Sequence, residues 1–344
     1  MKKVFLFFIF IMLWFLWPVL LIQSCSENSI GTSSPPEQTI NKILFTGRVN
    51  NDPGLFIVES NSQNLRKTNS FTECYAPQWT PDGTRILYLK GLGSNHELFI
   101  MDSSGTNEQK VADSVDYFAV SPDGNRICYI FFNGNWEIYL CNIDGSNKVK
   151  LTNTLRQKFG LFWSPVNPEI AFTENDNISG SYENIYRIKV DSGVLDTLAV
   201  GYDLPQISSW SKDGNFILFG ANHAEVFKID LPSKEIIQLT NAAYRDERAS
   251  FSPDGQKILF ETGREFGVQI YMMNWDGSNQ HKVSKFENSC MYPKWSPDGT
   301  SISYITSFNG LPRIVIADSY GNNAKYLIPD SLSFQSDWDW NPVK

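Results

Sequence analysis

Histidine is scarce in this chain: three residues in 344, at positions 96, 223 and 281. A metal site or an imidazole acid–base pair needs convergent ligands, so three scattered histidines supply little toward either. No metal and no cofactor is expected. The five cysteines include no Cys-x-x-Cys pair, which removes the usual zinc and dithiol spacings. No Gly-x-Ser-x-Gly stretch occurs, so the nucleophile elbow of serine hydrolases is missing. Positive charge is short as well. Lys and Arg number 29 against 37 Asp and Glu, a net charge of −8. Nucleic acid wants a basic face and electrostatic docking on anionic lipid wants a basic patch, so both are disfavoured.

What is present in excess is a repeat. Trp79-Thr-Pro-Asp-Gly83 returns as Val120-Ser-Pro-Asp-Gly124, Phe251-Ser-Pro-Asp-Gly255 and Trp295-Ser-Pro-Asp-Gly299. Weaker copies stand at Trp163-Ser-Pro165, Trp210-Ser-Lys-Asp-Gly214 and Trp340-Asn-Pro342. The first residues of the seven copies lie 41, 43, 47, 41, 44 and 45 residues apart. A period in the low forties built of short strands is the signature of a β-propeller blade. After each copy comes a β-rich run such as Arg85-Ile-Leu-Tyr-Leu89 or Lys257-Ile-Leu-Phe260, then a polar hairpin, then a run such as Gln269-Ile-Tyr-Met-Met273. A short outer strand ends the unit, as at Lys150-Leu-Thr152. These are strands a to d of one blade, with a ending at the Trp.

The turn has a physical logic. Pro fixes φ at the first corner, Asp bonds its own backbone, and Gly takes the φ > 0 position. Five of the ten tryptophans precede it, where they are expected as packing between blades. Lys42-Ile-Leu-Phe45 is a b strand without an a strand before it, and Ser336-Asp-Trp-Asp-Trp340 is an a strand without a b strand after it. Pairing the two closes an all-β ring of four-stranded antiparallel blades and removes an aggregation-prone edge. Seven blades are favoured. Six is the alternative if a degenerate unit around Trp163 or Trp210 is not a full blade.

Trp-Ser-Pro-Asp-Gly followed by Lys/Arg-Ile-Leu-Tyr/Phe, Ile-Tyr-Met and Asp-Gly-Ser-Asn resembles the TolB-like family of WD-repeat-related propellers, most cleanly from Trp295 to Tyr304 and Gln269 to Asn279. The resemblance covers residues 42–342. It implies the propeller, assigned here to residues 42–344, and an envelope role. TolB itself resembles a six-bladed propeller preceded by an α/β domain. Here only residues 26–41 separate Cys25 from the first strand, so that domain is not expected. Seven-bladed propellers of related repeats occur in oligogalacturonate lyases, where clustered histidines hold a metal. The histidines here are expected on the outer parts of three blades, so that chemistry is not. Asp144-Gly-Ser-Asn147 and Asp276-Gly-Ser-Asn279 lack calcium-loop spacing and read as hairpin turns.

The N-terminus carries the second signal. Lys2 and Lys3 precede an apolar run from Val4 to Ile22, then Gln23-Ser24-Cys25. That is a secretory signal over residues 1–24, and a Cys after a small residue resembles the lipobox of bacterial lipoproteins. Cys25 is the expected lipidation site; an uncleaved anchor is the alternative. Residues 25–41, polar and Pro-containing, form the expected linker. Beyond Cys25, the thiols at 74, 128, 141 and 290 are expected buried and unpaired, since about 300 residues bury a large core without disulfides.

Recognition is expected at the tunnel mouth, where the d-to-a connections converge. These carry Glu73, Tyr75, Asp116, Tyr117, Lys158, Asp203, Arg245, Asp246, Glu247, Arg248, Tyr292 and Asp337. Mixed charge with tyrosines suits a protein or glycan partner. The binding candidates are Tyr75, Tyr117, Lys158, Asp203, Arg245, Asp246, Arg248, Tyr292 and Asp337, with no catalytic residue among them. The expected function is a non-enzymatic, lipid-anchored binding scaffold of the cell envelope. The alternative is a lyase or hydrolase acting on a polysaccharide or peptide in the mouth.

Overall fold

A computed structural model describes residues 41–342, apart from 50–51, 70–72, 92–95, 133, 155, 176–181, 223–224, 242–243, 309 and 329–331. The signal, Cys25, the linker up to residue 40 and His223 lie outside the described residues. Among the described residues every regular element is a strand, and the strands form seven four-stranded antiparallel sheets. The chain is a seven-bladed β-propeller; the six-blade alternative is excluded.

Blade 1 joins the two ends of the chain. Its inner strand, Leu332–Trp340, pairs with Lys42–Val49, followed outward by Asp52–Glu59 and Arg66–Asn69. The register sets Ile43 opposite Trp340 and Phe45 opposite Trp338. Blades 2 to 7 follow in order, with inner strands Cys74–Trp79, Val115–Val120, Lys158–Trp163, Gln206–Trp210, Asp246–Phe251 and Cys290–Trp295.

Seven clusters of buried side chains hold the ring, and each spans two neighbouring blades. Ile43, Phe45, Trp338 and Trp340 of blade 1 pack on Ile305, Ile314 and Ile316 of blade 7. Leu44 and Ile57 of the same blade pack on Trp79, Ile86 and Tyr88 of blade 2. Because each sheet is covered on both faces, its second strand carries no polar alternation: Ile86-Leu87-Tyr88-Leu89 is buried throughout. Most outer strands run two to four residues, which limits exposed edge; that of blade 4, Leu195–Asp203, runs nine.

At the rim each Ser-Pro-Asp-Gly turn is a closed polar unit. In blade 6 the Ser252 hydroxyl donates to Asp254 Oδ1 at 2.5 Å and accepts the Lys257 N–H at 2.9 Å, while Asp254 Oδ1 also accepts the Gln256 N–H. Ser121, Ser211, Ser296 and Thr80 repeat the arrangement. The Asp-Gly-Ser-Asn segments are hairpin turns whose Asp accepts the N–H two residues on. Glycine is required there for a second reason. A Cβ on Gly145 would sit 2.9 Å from the Val111 carbonyl oxygen of the preceding blade, and one on Gly277 2.9 Å from that of Leu239.

The four described cysteines are buried and free. Cys128 pairs in register with Leu140 and Cys141 with Ile127, so the two thiols are offset by one residue. Burial pushes Cys74 up to about 12 and Cys141 to about 11, which leaves both as inert thiols at neutral pH.

Candidate functional site: the tunnel mouth and wall of blades 5 to 7

All seven inner strands are interrupted by a β-bulge ahead of the motif, where the register to the second strand shifts. A bulge re-aims the side chains that precede it. Three bulge residues take the left-handed conformation without being glycine: Ala76 (φ 46°), Arg248 (φ 49°) and Tyr292 (φ 57°). Counting the six residues that end at the bulky residue of the motif, three positions have distinct roles. The first turns into the blades: Cys74, Val115, Lys158, Asp246 and Cys290 are all at most 4% exposed. The third sits at the mouth, where Tyr117, Arg248, Tyr292 and Asp337 stand. The fifth, which includes Ser209, Lys294 and Asp339, reaches the inner strand of the next blade. Ser209 accepts the Phe251 N–H at 3.3 Å and Asp339 accepts the Trp79 N–H at 3.0 Å.

Along blades 5, 6 and 7 these strands line a cavity of about 1090 Å³. One end is walled by Asp203, Arg245, Glu247, Arg248 and Tyr292, and the other by Pro165, Lys212, Pro253 and Pro297 of the rim turns. At the mouth the charges are interlocked. Arg245 Nε donates to Glu247 Oε1 at 2.7 Å, and that bond holds its guanidinium above the usual arginine range. Arg248 donates to Glu261 Oε2 at 3.0 Å, lies 3.5 Å from Glu247 and stacks over the Tyr292 ring at 4.6 Å. The Tyr292 N–H closes the cluster on Glu261 Oε1 at 2.5 Å. Burial raises the Glu261 carboxyl, opposed by the Tyr292 N–H and Arg248. Arg245 keeps 71% of its side chain exposed and Arg248 42%.

Four of the nine sequence candidates line the cavity: Asp203, Arg245, Arg248 and Tyr292. Three others stand outside the cavity lining, on blades 1 to 3. Tyr117 is exposed, Tyr75 packs on the core between blades 2 and 3 against His96, and Asp337 accepts the Ala76 N–H at 3.3 Å. Two are corrected outright. Lys158 is fully buried between blades 3 and 4. It donates to the Trp136 and Arg156 carbonyls and to Thr154, with Glu137 and Glu174 each 3.4 Å away. Asp246 is equally buried and bonded to Arg264 at 2.7 Å. Both hold the first position of an inner strand, and strand alternation sends that side chain into the sheet stack.

The candidates also omitted Lys294, Asp339 and Lys212. Lys294 and Asp339 each directly precede the motif Trp, at positions that are neutral in the other five copies: Gln78, Ala119, Phe162, Ser209 and Ser250. Lys294 lines the cavity and donates to the Trp338 carbonyl, and surrounding protein lowers its ammonium below the usual lysine range against the pull of Asp339 and Asp337. Burial raises the Asp339 carboxyl, opposed by Lys294 and the Trp79 N–H. The tryptophan expectation is also refined. Trp79, Trp163 and Trp340 are buried, whereas Trp210 and Trp295 are half-buried and line the cavity. Among the described residues no group of three or more His, Cys, Asp or Glu side chains is placed to hold a metal ion.

A seven-bladed propeller with a charged mouth is thus the class of protein. Within it, residues 220–338, which run from blade 5 to the closing strand, match the TolB beta propeller domain. An uncharacterized protein of Agrobacterium fabrum is 25% identical over 256 residues, 68% of this chain and 84% of that protein. The oligogalacturonate lyase of Dickeya dadantii is 25% identical over 224 residues, 55% of this chain; the chain spans 56% of the lyase. An oligogalacturonate lyase solved in complex with manganese superimposes with a TM-score of 0.67 at 14% identity, covering 84% of this chain and 86% of that one. TolB from Acinetobacter baumannii superimposes with a TM-score of 0.57 at 17% identity, covering 88% of this chain and 67% of that one. At these identities the two structures speak for the fold.

Proposed function

We propose that this chain is a non-enzymatic binding propeller of the bacterial cell envelope, exported and tethered through a lipid on Cys25, which recognises a protein or glycan at the mouth of blades 5 to 7. The observation that carries the reading is the cavity itself: it opens on an exposed Arg245, a half-exposed Arg248 and Tyr292, a composition typical of interface anchors. The match to the TolB propeller domain supports the envelope setting, and the basic, apolar and Cys25-terminated start of the sequence supports export. Co-purification from native membranes tests the binding. The Arg245→Ala, Arg248→Ala double variant is expected to lose the partner that the parent retains; equal retention by both rejects the mouth. Cys25→Ala is expected to release the protein into the soluble fraction or leave its precursor uncleaved. An unmodified Cys25 still joined to Ser24 in the native protein would make the apolar run a membrane anchor instead.

A second reading has one observation of its own. Lys294 and Asp339 place an amine of lowered basicity and a carboxyl of lowered acidity on adjacent inner strands, the pairing from which acid–base catalysis is built. The likeness to a lyase adds to it. Turnover of an acidic oligosaccharide or a peptide by the parent, abolished in Lys294→Met, would favour this alternative.

A further inference from the structure

Charge on the cavity wall runs against the charge of the protein. The chain carries −8, yet the wall of blades 5 to 7 presents Lys212, Arg245, Arg248 and Lys294 against the carboxylates Asp203 and Glu247. The partners sharpen the imbalance. Glu247 is spent on Arg245 and Arg248, and Glu261 on Arg248 and the Tyr292 N–H. On the adjoining blade 1, Asp337 and Asp339 accept backbone N–H groups of blade 2. The two lysines stay under-used. An ammonium has three donors, and Lys294 spends one on the Trp338 carbonyl. It also lies over the Trp338 ring at 4.9 Å, and Asp339 and Asp337 raise its affinity for the proton electrostatically. Lys212 is exposed and, among the described residues, has no hydrogen-bond or ion-pair partner. It also breaks the repeat, standing where the other six copies carry Pro81, Pro122, Pro165, Pro253, Pro297 and Pro342. A local rule broken without a packing gain points to function.

Resting on the mouth as recognition surface, we propose that the occupant of this wall is an extended acidic peptide segment, its carboxylates held by Lys294 within the channel and by Lys212 at the rim. A peptide suits the wall better than a sugar chain for two reasons. Each inner strand pairs on one edge only, so its other edge faces the tunnel and offers backbone partners to an extended chain. The aromatic side chains that line the cavity are engaged within the ring: Trp210, Phe251 and Trp295 pack in part against blade cores, and Tyr292 lies under the Arg248 guanidinium.

Fluorescence anisotropy with labelled hexaglutamate on the full-length protein tests this, with hexaglutamine, hexalysine and a trigalacturonate as competitors. Hexaglutamate is expected to bind, and only unlabelled hexaglutamate to displace it. Lys294→Met, which keeps the packing volume, is expected to weaken binding by about tenfold or more, the value of a charged hydrogen bond. Lys212→Gln, at an exposed position where misfolding is not at issue, is expected to weaken it severalfold. No binding of hexaglutamate, equal competition by hexaglutamine, or two variants within twofold of the parent would overturn the proposal. So would displacement by trigalacturonate with hexaglutamate inert, which would put an acidic sugar in the channel. Loss of the native partner in the double arginine variant, together with inert hexaglutamate, would remove this inference and leave the mouth standing.

Discussion

The two ends of the tunnel are built by opposite rules. At the rim one short motif meets one geometry in blade after blade, with a hydroxyl bridging the Asp and the incoming strand. At the mouth the side chains diverge: the third position holds Ala76, Tyr117, Gly160, Ile207, Arg248, Tyr292 and Asp337, with only Tyr repeated. The rim supplies the architecture. The mouth carries what distinguishes this chain from any other propeller, and its charges are arranged around a cavity instead of around a turn.

The comparison breaks most severely if the ring opens. Deleting residues 336–344 removes Trp338 and Trp340, both below 5% exposed, from the core shared by blades 1 and 7. Each buried Trp is worth about 3–5 kcal/mol, so loss of the cooperative melt and aggregation are expected. A truncated protein that melts like the parent would disprove closure by the C-terminal strand.

Next in size is Lys158, a cation that sequence assigned to the mouth and the structure buries. Lys158→Ala removes the buried ammonium between Glu137 and Glu174, which keep only the more exposed Lys150 and Arg156, and should cost about 3 kcal/mol in a denaturant titration. Partner capture per folded molecule should not change. If Lys158→Ala instead impairs capture without loss of stability, the buried assignment is wrong.

At the rim, Ser252→Ala removes both a donor to Asp254 and an acceptor for Lys257, with an expected cost of about 1 kcal/mol. The pH response should separate rim from tunnel in sign. Asp254 and Asp123 sit below the ordinary aspartate range, chiefly through the hydroxyls of Ser252 and Ser121. The folded protein binds those protons less tightly than the unfolded chain. Their contribution is therefore complete above the unfolded value and drains away as pH falls through the folded one. Asp339 and Glu261 are raised by burial, so the folded state binds their protons more tightly and gains stability as pH falls through the raised value. Asp254→Asn should flatten the acid side of the stability–pH curve and Asp339→Asn should steepen it. The same slope in both variants would refute the assigned environments.

The smallest effect belongs to Arg245→Ala, expected to change stability by under about 0.5 kcal/mol, as surface substitutions do. Arg248→Ala should cost more, about 1 kcal/mol, because it leaves the buried Glu261 without its guanidinium.

The repeat made the fold legible in advance, including closure by Trp340 against Ile43, because spacing and turn chemistry are local. The mouth was read less well. Lys158 and Asp246 fall within the d-to-a connections by position, but they are the first residues of their strands and turn into the blades. The bulge that decides this has no signature of its own: Gly160 marks it in blade 4, whereas Arg248 and Tyr292 adopt the same left-handed backbone unannounced. Lys294 was readable in principle, as one of two charged residues directly before a motif whose other copies are neutral there. Its address in the tunnel was not, since that depends on how adjacent inner strands face each other.

The central claim is that the mouth of blades 5 to 7 is where this protein meets its partner. A photo-crosslinking residue placed at Arg245, with 71% of its side chain exposed, can be compared in living cells with one at Tyr320, which is 69% exposed in the outer turn of blade 7 before Gly321. The account predicts a discrete adduct from position 245 and none from 320. An adduct from 320 alone, or equal labelling from both, would contradict it.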